Sequence, residues 1–188
     1  MSAVLASPSK LLTAAEFLRL PDTDQPKELV KGKVVYMNVP YPRHGHYCSE
    51  VAFLLKTFVS RHDLGWVFTN DSGVFTERDP DTVRGPDVVY YSYQRVPKGT
   101  LPDGYIDAVP ELAIEIRSAE TRWKNLHKKV GEFLDIGVTN VCVVDPDAKT
   151  VHVFSADQPV RVLSATEEWT LPEVLPGFST PLAELFIA

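Results

Sequence analysis

Glu111-Leu-Ala-Ile-Glu-Ile116 and Val138-Thr-Asn-Val-Cys-Val-Val144 decide the fold between them. Past its first residue, the earlier stretch reads as a strand that is apolar except for Glu115. The later one is a nearly continuous apolar run, the mark of a strand buried on both faces. Ser118 to Gly137, between them, has a helical pattern, with Ser118 the candidate N-cap and Gly137 the stop. Downstream, Asp145-Pro-Asp-Ala-Lys is a turn and Thr150-Val-His-Val-Phe its returning hairpin partner. Upstream, Pro86-Asp87-Val-Val-Tyr-Tyr reads as a strand with an acid at its mouth, and Gly65-Trp-Val-Phe-Thr and Gly73-Val-Phe-Thr-Glu are strand-like. Val51, Leu54, Leu55, Phe58 and Val59 recur at helical spacing and predict a helix from about His46 to Arg61. Glu28 to Met37 reads as a hairpin turning at Gly32, and Thr13 with Glu16 forms a capping-box pattern that opens a short helix ended by Pro21. The order of elements predicts a mixed α/β or α+β domain around one central sheet.

Composition narrows the classes. A chain of 188 residues with 44% hydrophobic and 23% charged residues is long and apolar enough to bury a core as one domain. Residues 1–10 read as a flexible tail and 11–188 as the single domain. No apolar run approaches the roughly 20 residues that span a bilayer, and the start lacks the basic and apolar regions of a secretory signal. A cytoplasmic location without membrane contact is therefore expected. Cys48 and Cys142 lie far apart in sequence within apolar runs, so both read as small buried hydrophobes, outside any close Cys/His cluster. The net charge of -6 argues against broad, non-specific binding to nucleic acid. It is compatible with a divalent-cation site, which carboxylates build.

Three acids sit in unusual company: Asp87 after Pro86, Glu115 between Ile114 and Ile116, and Glu28 at the head of the hairpin. A carboxylate in low dielectric is costly unless paired, protonated or metal-bound. Glu115 either meets that cost or faces solvent on an edge strand. Alternation sets Leu112, Ile114 and Ile116 on one face and Ala113, Glu115 and Arg117 on the other, with Glu115 and Arg117 about 6–7 Å apart along the strand. Such an acid can hold a metal while the cation steadies a phosphate; the plainer reading is a surface ion pair of little energy. In the helix that follows, Trp123, Leu126, Val130, Phe133 and Leu134 form the apolar stripe at about 100° per residue. Lys128 falls opposite it, and Lys129 at its edge. Lys129 is either an ordinary boundary lysine or one that reaches along the sheet to Glu115. His44 and His46 precede the first long helix, as phosphate contacts or caps. Residues 92–110, rich in proline and glycine, read as a long surface loop of the kind that often forms a lid. The closing Leu175-Pro-Gly-Phe through Phe186 is expected to pack on the core. No phosphate-binding glycine loop and no G-x-S-x-G elbow occurs.

These segments, in this order, resemble the Uma-two family of restriction-endonuclease-like proteins. The likeness rests on Glu28 to Met37, Pro42-Arg-His44, Gly85-Pro86-Asp87-Val-Val and Pro110-Glu-Leu-Ala-Ile-Glu115-Ile-Arg-Ser118. Lys129-Val-Gly-Glu-Phe133 through Gly137-Val, Val144-Asp-Pro146 and Leu175-Pro-Gly-Phe extend it over most of the chain. The resemblance implies the PD-(D/E)xK nuclease fold: a restriction endonuclease-like core with a central mixed sheet flanked by helices, here with an N-terminal β-hairpin. It carries over Asp87 and Glu115 as metal-binding acids for Mg2+ or Mn2+, Lys129 as the lysine, Glu28 as an additional acid, and His44 as the histidine before the first long helix. Three positions depart from the family pattern: Ser118-Ala-Glu stands for Ser-Pro-Ser, Asn125 for an aspartate, and Arg117 for an apolar residue.

The expected function is metal-dependent hydrolysis of DNA phosphodiester bonds. Asp87, Glu115 and the Ile116 carbonyl would hold the cation, Lys129 would orient water or stabilise charge, and His44 and Arg117 would contact phosphate. Arg95 and Lys98 on the loop, with Arg122 and Lys124, would answer the negative balance locally. A homodimer is expected by analogy, because cutting both strands takes two sites. The alternative is a catalytically inactive module that binds nucleic acid or a protein partner; RNA is a third, lesser substrate.

Overall fold

The computed structural model describes residues 10–21 and 25–186; the expected tail, up to residue 9, lies outside them. Its centre is the strand pair read first above. β7 (Leu112–Ile116) is buried at all five positions and β8 (Asn140–Asp145) at all six. They run parallel, Leu112 beside Asn140 through Ile116 beside Val144. Parallel neighbours need a crossover, and α3 (Trp123–Asp135) supplies it. Four further strands complete a six-stranded mixed sheet, all paired antiparallel: β3 (Gly65–Thr69) and β6 (Val88–Ser92) beyond β7, β9 (Thr150–Phe154) and β10 (Arg161–Ser164) beyond β8.

The two faces of this sheet are covered differently. Leu112, Ile114 and Ile116 face α2 (Pro42–Arg61), packing with its Tyr47, Val51, Leu55 and Val59 and with the C-terminal Trp169, Leu175, Phe178 and Phe186. Ala113, Val89, Tyr91, Val141 and Val143 pack on the other side with Leu126, Val130 and Phe133 of α3. The predicted alternation holds, so Glu115 belongs to the α3 face. It is 5% exposed in a central strand, which removes the edge-strand alternative.

The hairpin is part of a larger unit than expected. β1 (Lys27–Val30) and β2 (Lys33–Tyr36) pair through a Lys31-Gly32 turn whose two residues both have positive φ, the geometry that matches strand twist. β4 (Val74–Glu77) and β5 (Thr82–Arg84) then join it in a second sheet ordered β2-β1-β5-β4. β5 is too short to show a period, as are β11 (Glu168–Thr170) and β12 (Ser179–Pro181). The closing segment packs on the core as predicted, ending in α4 (Leu182–Leu185).

Two helix starts differ from expectation. α2 begins at Pro42, four residues early, because proline suits a first helical position whose N–H has no partner anyway. α3 begins at Trp123 with Arg122 at its N-cap, so Ser118 is not the cap. Its hydroxyl meets that of Thr121, 2.6 Å away, inside the preceding turn. The stop is as predicted: Gly137 takes φ +93°, and the N–H groups of Gly137 and Val138 bond to the carbonyls of Leu134 and Phe133, a Schellman ending. α1 (Ala14–Leu18) carries the full Thr13/Glu16 capping box.

Gly65 is fixed by space. A Cβ there would sit 2.1 Å from the Tyr91 carbonyl oxygen of the neighbouring strand. Gly65→Ala is expected to destabilise the protein by about 2–3 kcal/mol, at the upper part of the overpacking range, as read by urea denaturation. Among the described residues, no helix is long and apolar enough to cross a membrane.

Candidate active site

The ladder between β6 and β7 ends with Val88 opposite Ile114. One step outward on each strand sets Asp87 opposite Glu115, the cross-strand position where side chains interact. Here the backbone pairing gives way to a side chain: Asp87 Oδ2 accepts the Ile116 N–H at 2.5 Å. Asp87 is thus fixed to the backbone of the strand that carries Glu115. Both line a cavity of about 460 Å³, together with Glu28, His44, Asp71, Arg84, Ser118, Asn125 and Lys129.

Lys129 reaches the cavity from α3. Its Nζ lies 3.0 and 3.1 Å from the two Glu115 oxygens, 3.1 Å from Glu28 Oε1 and 3.4 Å from the Gly85 carbonyl. It is therefore the reaching lysine of the two readings. Lys128, one residue away, stays exposed as predicted.

Glu28 is opposite Arg84 in the β1–β5 register, one step on from Leu29 opposite Val83. Arg84 Nη1 donates to Glu28 Oε2 at 2.8 Å, and the Gly85 N–H to Glu28 Oε1 at 3.1 Å. On its other side Arg84 binds Glu132 of α3 bidentately, at 2.6 and 2.9 Å. A chain of alternating charge results: Glu132, Arg84, Glu28, Lys129, Glu115. Lys128 meets Glu132 at the outer end, His44 meets Asp87 at the inner one, and Asp71 adds a further carboxylate to the cavity wall. Asp87, Glu115 and Asp71 offer the oxygen donors that a divalent cation takes.

The titration of these groups follows from the packing. Burial pushes the Glu115 carboxyl up, with Lys129 opposing and Asp87 reinforcing the shift. Burial works against the charge of Lys129, but Glu115 and Glu28 more than offset it, so its ammonium is held above the ordinary lysine range. Burial also opposes charge on Glu28, yet Lys129 and Arg84 bring it below the usual carboxylate range. Asp71 is raised by burial and by Asp87.

His44 stands at the third helical position of α2, its Nε2 3.3 Å from Asp87 Oδ1. The bond to Asp87 raises its pKa despite burial. The protonated form is the one Asp87 stabilises. Its contribution to stability is therefore present below the unfolded value of about 6.5 and lost as pH rises through the higher folded value. NMR titration of His44 is expected to give a midpoint above 6.5, and Asp87→Asn to bring it down. Saturating Mg2+ should lower it too if the cation takes Asp87.

Arg117 lies elsewhere. Its guanidinium pairs with Asp145 at 3.1 Å and Asp147 at 3.6 Å and stands over the Trp123 ring, outside the cavity lining. Arg95 and Lys98 pair with Glu111 and Asp63. Their loop borders a second cavity, formed with Leu18, Phe68 and Tyr91, and contributes nothing to the first. Sequence reasoning missed Arg84, Glu132 and Asp71; an arginine directly before Gly85-Pro86-Asp87, in an apolar setting, was the available signal. It also misjudged Cys48, whose Sγ lies 3.4 Å from His44 Nδ1. Four residues of helix bring together what the absence of a close cysteine spacing had seemed to exclude. Cys142 is fully buried in the core as expected.

Comparisons with known proteins bear on this geometry. The crystal structure described as "a putative nuclease belonging to DUF820", from Anabaena variabilis, superposes with a TM-score of 0.77 at 24% identity, covering 93% of this chain and 97% of that one. At that identity the likeness establishes a shared fold. No curated protein matches the sequence. The family Uma2, described as "Putative restriction endonuclease", matches residues 14–183. With nearly all of its elements inside that match, this chain belongs to the Uma2 family.

Proposed function

We propose that this protein is a Mg2+- or Mn2+-dependent endonuclease that hydrolyses DNA phosphodiester bonds. The observation that carries the reading is the meeting of Asp87 and Glu115, from adjacent strands, in one cavity with the Lys129 ammonium. Family membership and the described nuclease of the same fold support it. The donor set suits a hard divalent cation, which takes oxygen ligands: Asp87 and Glu115 would hold it, with the Ile116 carbonyl. When bound, such a cation polarises the phosphate and supplies hydroxide near neutral pH.

The chain's own groups do the rest. Glu115 and Glu28 favour the ammonium form of Lys129, which suits it to positioning an attacking water rather than taking its proton. It orients that water and stabilises charge on the phosphate. Glu28, itself fixed by Arg84, holds the ammonium in place from behind. His44, its two ring nitrogens on Asp87 and Cys48, would meet a phosphate oxygen on releasing one of them. Arg117 would meet the DNA backbone farther out, on releasing Asp147. Two copies acting on opposite strands would make a homodimer, testable by light scattering.

The test is supercoiled plasmid incubated with purified protein and Mg2+ or Mn2+, alongside a metal titration. Nicking with saturable metal dependence is the expected result; no nicking and no metal binding overturns the proposal. The second reading, binding without turnover, rests on Asn125 at the cavity wall. It predicts metal-independent retention of DNA with no cleavage, and competing RNA in the same assay fixes the substrate class.

A further inference from the structure

His44, Cys48 and Asp87 bring three different donor types together, and their ligand atoms all lie within 4.8 Å of one another. His44 and Cys48 are one turn apart on α2, so they share a helix face. His44 meets Cys48 through Nδ1 at 3.4 Å and Asp87 through Nε2 at 3.3 Å; a single ion takes one of these nitrogens, and the imidazole turns to offer it. Bond lengths of about 2.0–2.3 Å around a tetrahedral zinc put neighbouring donors about 3.5 Å apart, so small rotamer changes close the site. A thiolate and an imidazole favour a thiophilic borderline cation, whereas Mg2+ requires oxygen ligands. All three side chains are partly buried: His44 and Asp87 line the cavity with 17% and 11% of their side chains exposed, and Cys48 is partly covered.

We infer that His44, Cys48 and Asp87 form a Zn2+ site that shares Asp87 with the hard-cation site and so excludes Mg2+ from it. Formation of the Zn–S bond releases the thiol proton to solvent. The fourth position is left to water, as in open zinc sites with three protein ligands. Zinc at this position withdraws Asp87, making the site inhibitory. The inhibition rests on the nuclease reading; the binding does not.

Co2+ is the probe, because a cobalt–thiolate bond gives a charge-transfer band in the near ultraviolet. Titrated into reduced protein without nucleic acid, it should produce that band with one equivalent, and Zn2+ should bleach it. Cys48→Ser keeps the side-chain shape and should abolish the band and weaken Zn2+ by about 100-fold, the upper end of what even an outer-shell partner is worth. Cys48→Ala, run beside it with a circular-dichroism melt, guards against a folding defect. Glu115→Gln touches only the hard-cation site and should leave the band. No band in the wild-type protein, or a band that survives both Cys48 variants, overturns the site. None of these readings needs turnover, so they fail or succeed apart from the nuclease assignment. Where nicking is observed, Zn2+ should inhibit the wild type and not Cys48→Ser; equal inhibition of both overturns the inhibitory role.

Discussion

Asp87→Ala is expected to reduce Mg2+-dependent plasmid nicking by about a thousandfold or more, with the protein still folded. The argument has two parts. Stabilisation of transition-state charge by a bound cation amounts to several kcal/mol, and each 1.36 kcal/mol is about a factor of ten in rate. Folding responds much less, because opposing effects meet at this position. The variant loses the bond from the Ile116 N–H and the partner of His44. It also removes one of the carboxylates crowded beside Glu115 and Asp71, for each of which Asp87 raises the pKa. The melting temperature should stay within about 4 °C of the wild type, the shift that roughly 1 kcal/mol makes in a domain of this size. Asp87→Asn keeps an acceptor for Ile116 and should be as inactive, separating charge from backbone fixing. Nicking by Asp87→Ala at the wild-type rate would remove the acid from the mechanism.

Arg84→Met should be the most destabilising substitution near the site, by about 3–5 kcal/mol, the cost of leaving buried charge without its partner. Arg84 is 7% exposed and Glu28 6%, so the Glu28 carboxylate is not easily rehydrated once its partner is gone. Glu28 is affected most. Its folded pKa is depressed, so its stabilising contribution is present above its unfolded pKa and lost as pH falls through the folded one. Without Arg84 that contribution shrinks, and the urea midpoint at neutral pH should fall accordingly. Arg84→Lys should rescue little, since an ammonium cannot reproduce the fork that binds Glu132 through two nitrogens. Adding Glu28→Gln to Arg84→Met should recover part of the loss, which a double-mutant cycle measures. An Arg84→Met midpoint equal to that of the wild type would show that the buried network carries no net stability.

Local pattern carried much of this. The alternation in Leu112–Ile116 assigned Glu115 to one face, and the angular position of Lys129 put it beside that face; the sheet and α3 then bring the two within 3.0 Å. The hairpin turn and the Gly137 stop were legible because turn and stop chemistry resides in adjacent residues. What escaped was what depends on distant partners. Arg84 meets Glu28 and Glu132 across 56 and 48 residues, and nothing in a three-residue strand announces either. Arg117 shares a strand direction with Glu115, but Asp145 from the neighbouring strand claims its guanidinium. Ser118 looked like a cap because caps favour serine, yet its turn with Thr121 delays the helix by four residues, to a cap at Arg122.

The string of alternating charges that begins at Glu132 has one end in water: Glu132 is 22% exposed at its side chain, while the other end lies beside the carboxylates of the cavity. Position 132 is consequently a remote tuning knob. A neutral residue there would loosen the guanidinium and, through it, the acid and the lysine that follow, with no atom of any nucleic acid touched. On the nuclease proposal, variation in cutting rate among otherwise similar chains can thus originate on an outer helix surface, far from where a phosphate would bind.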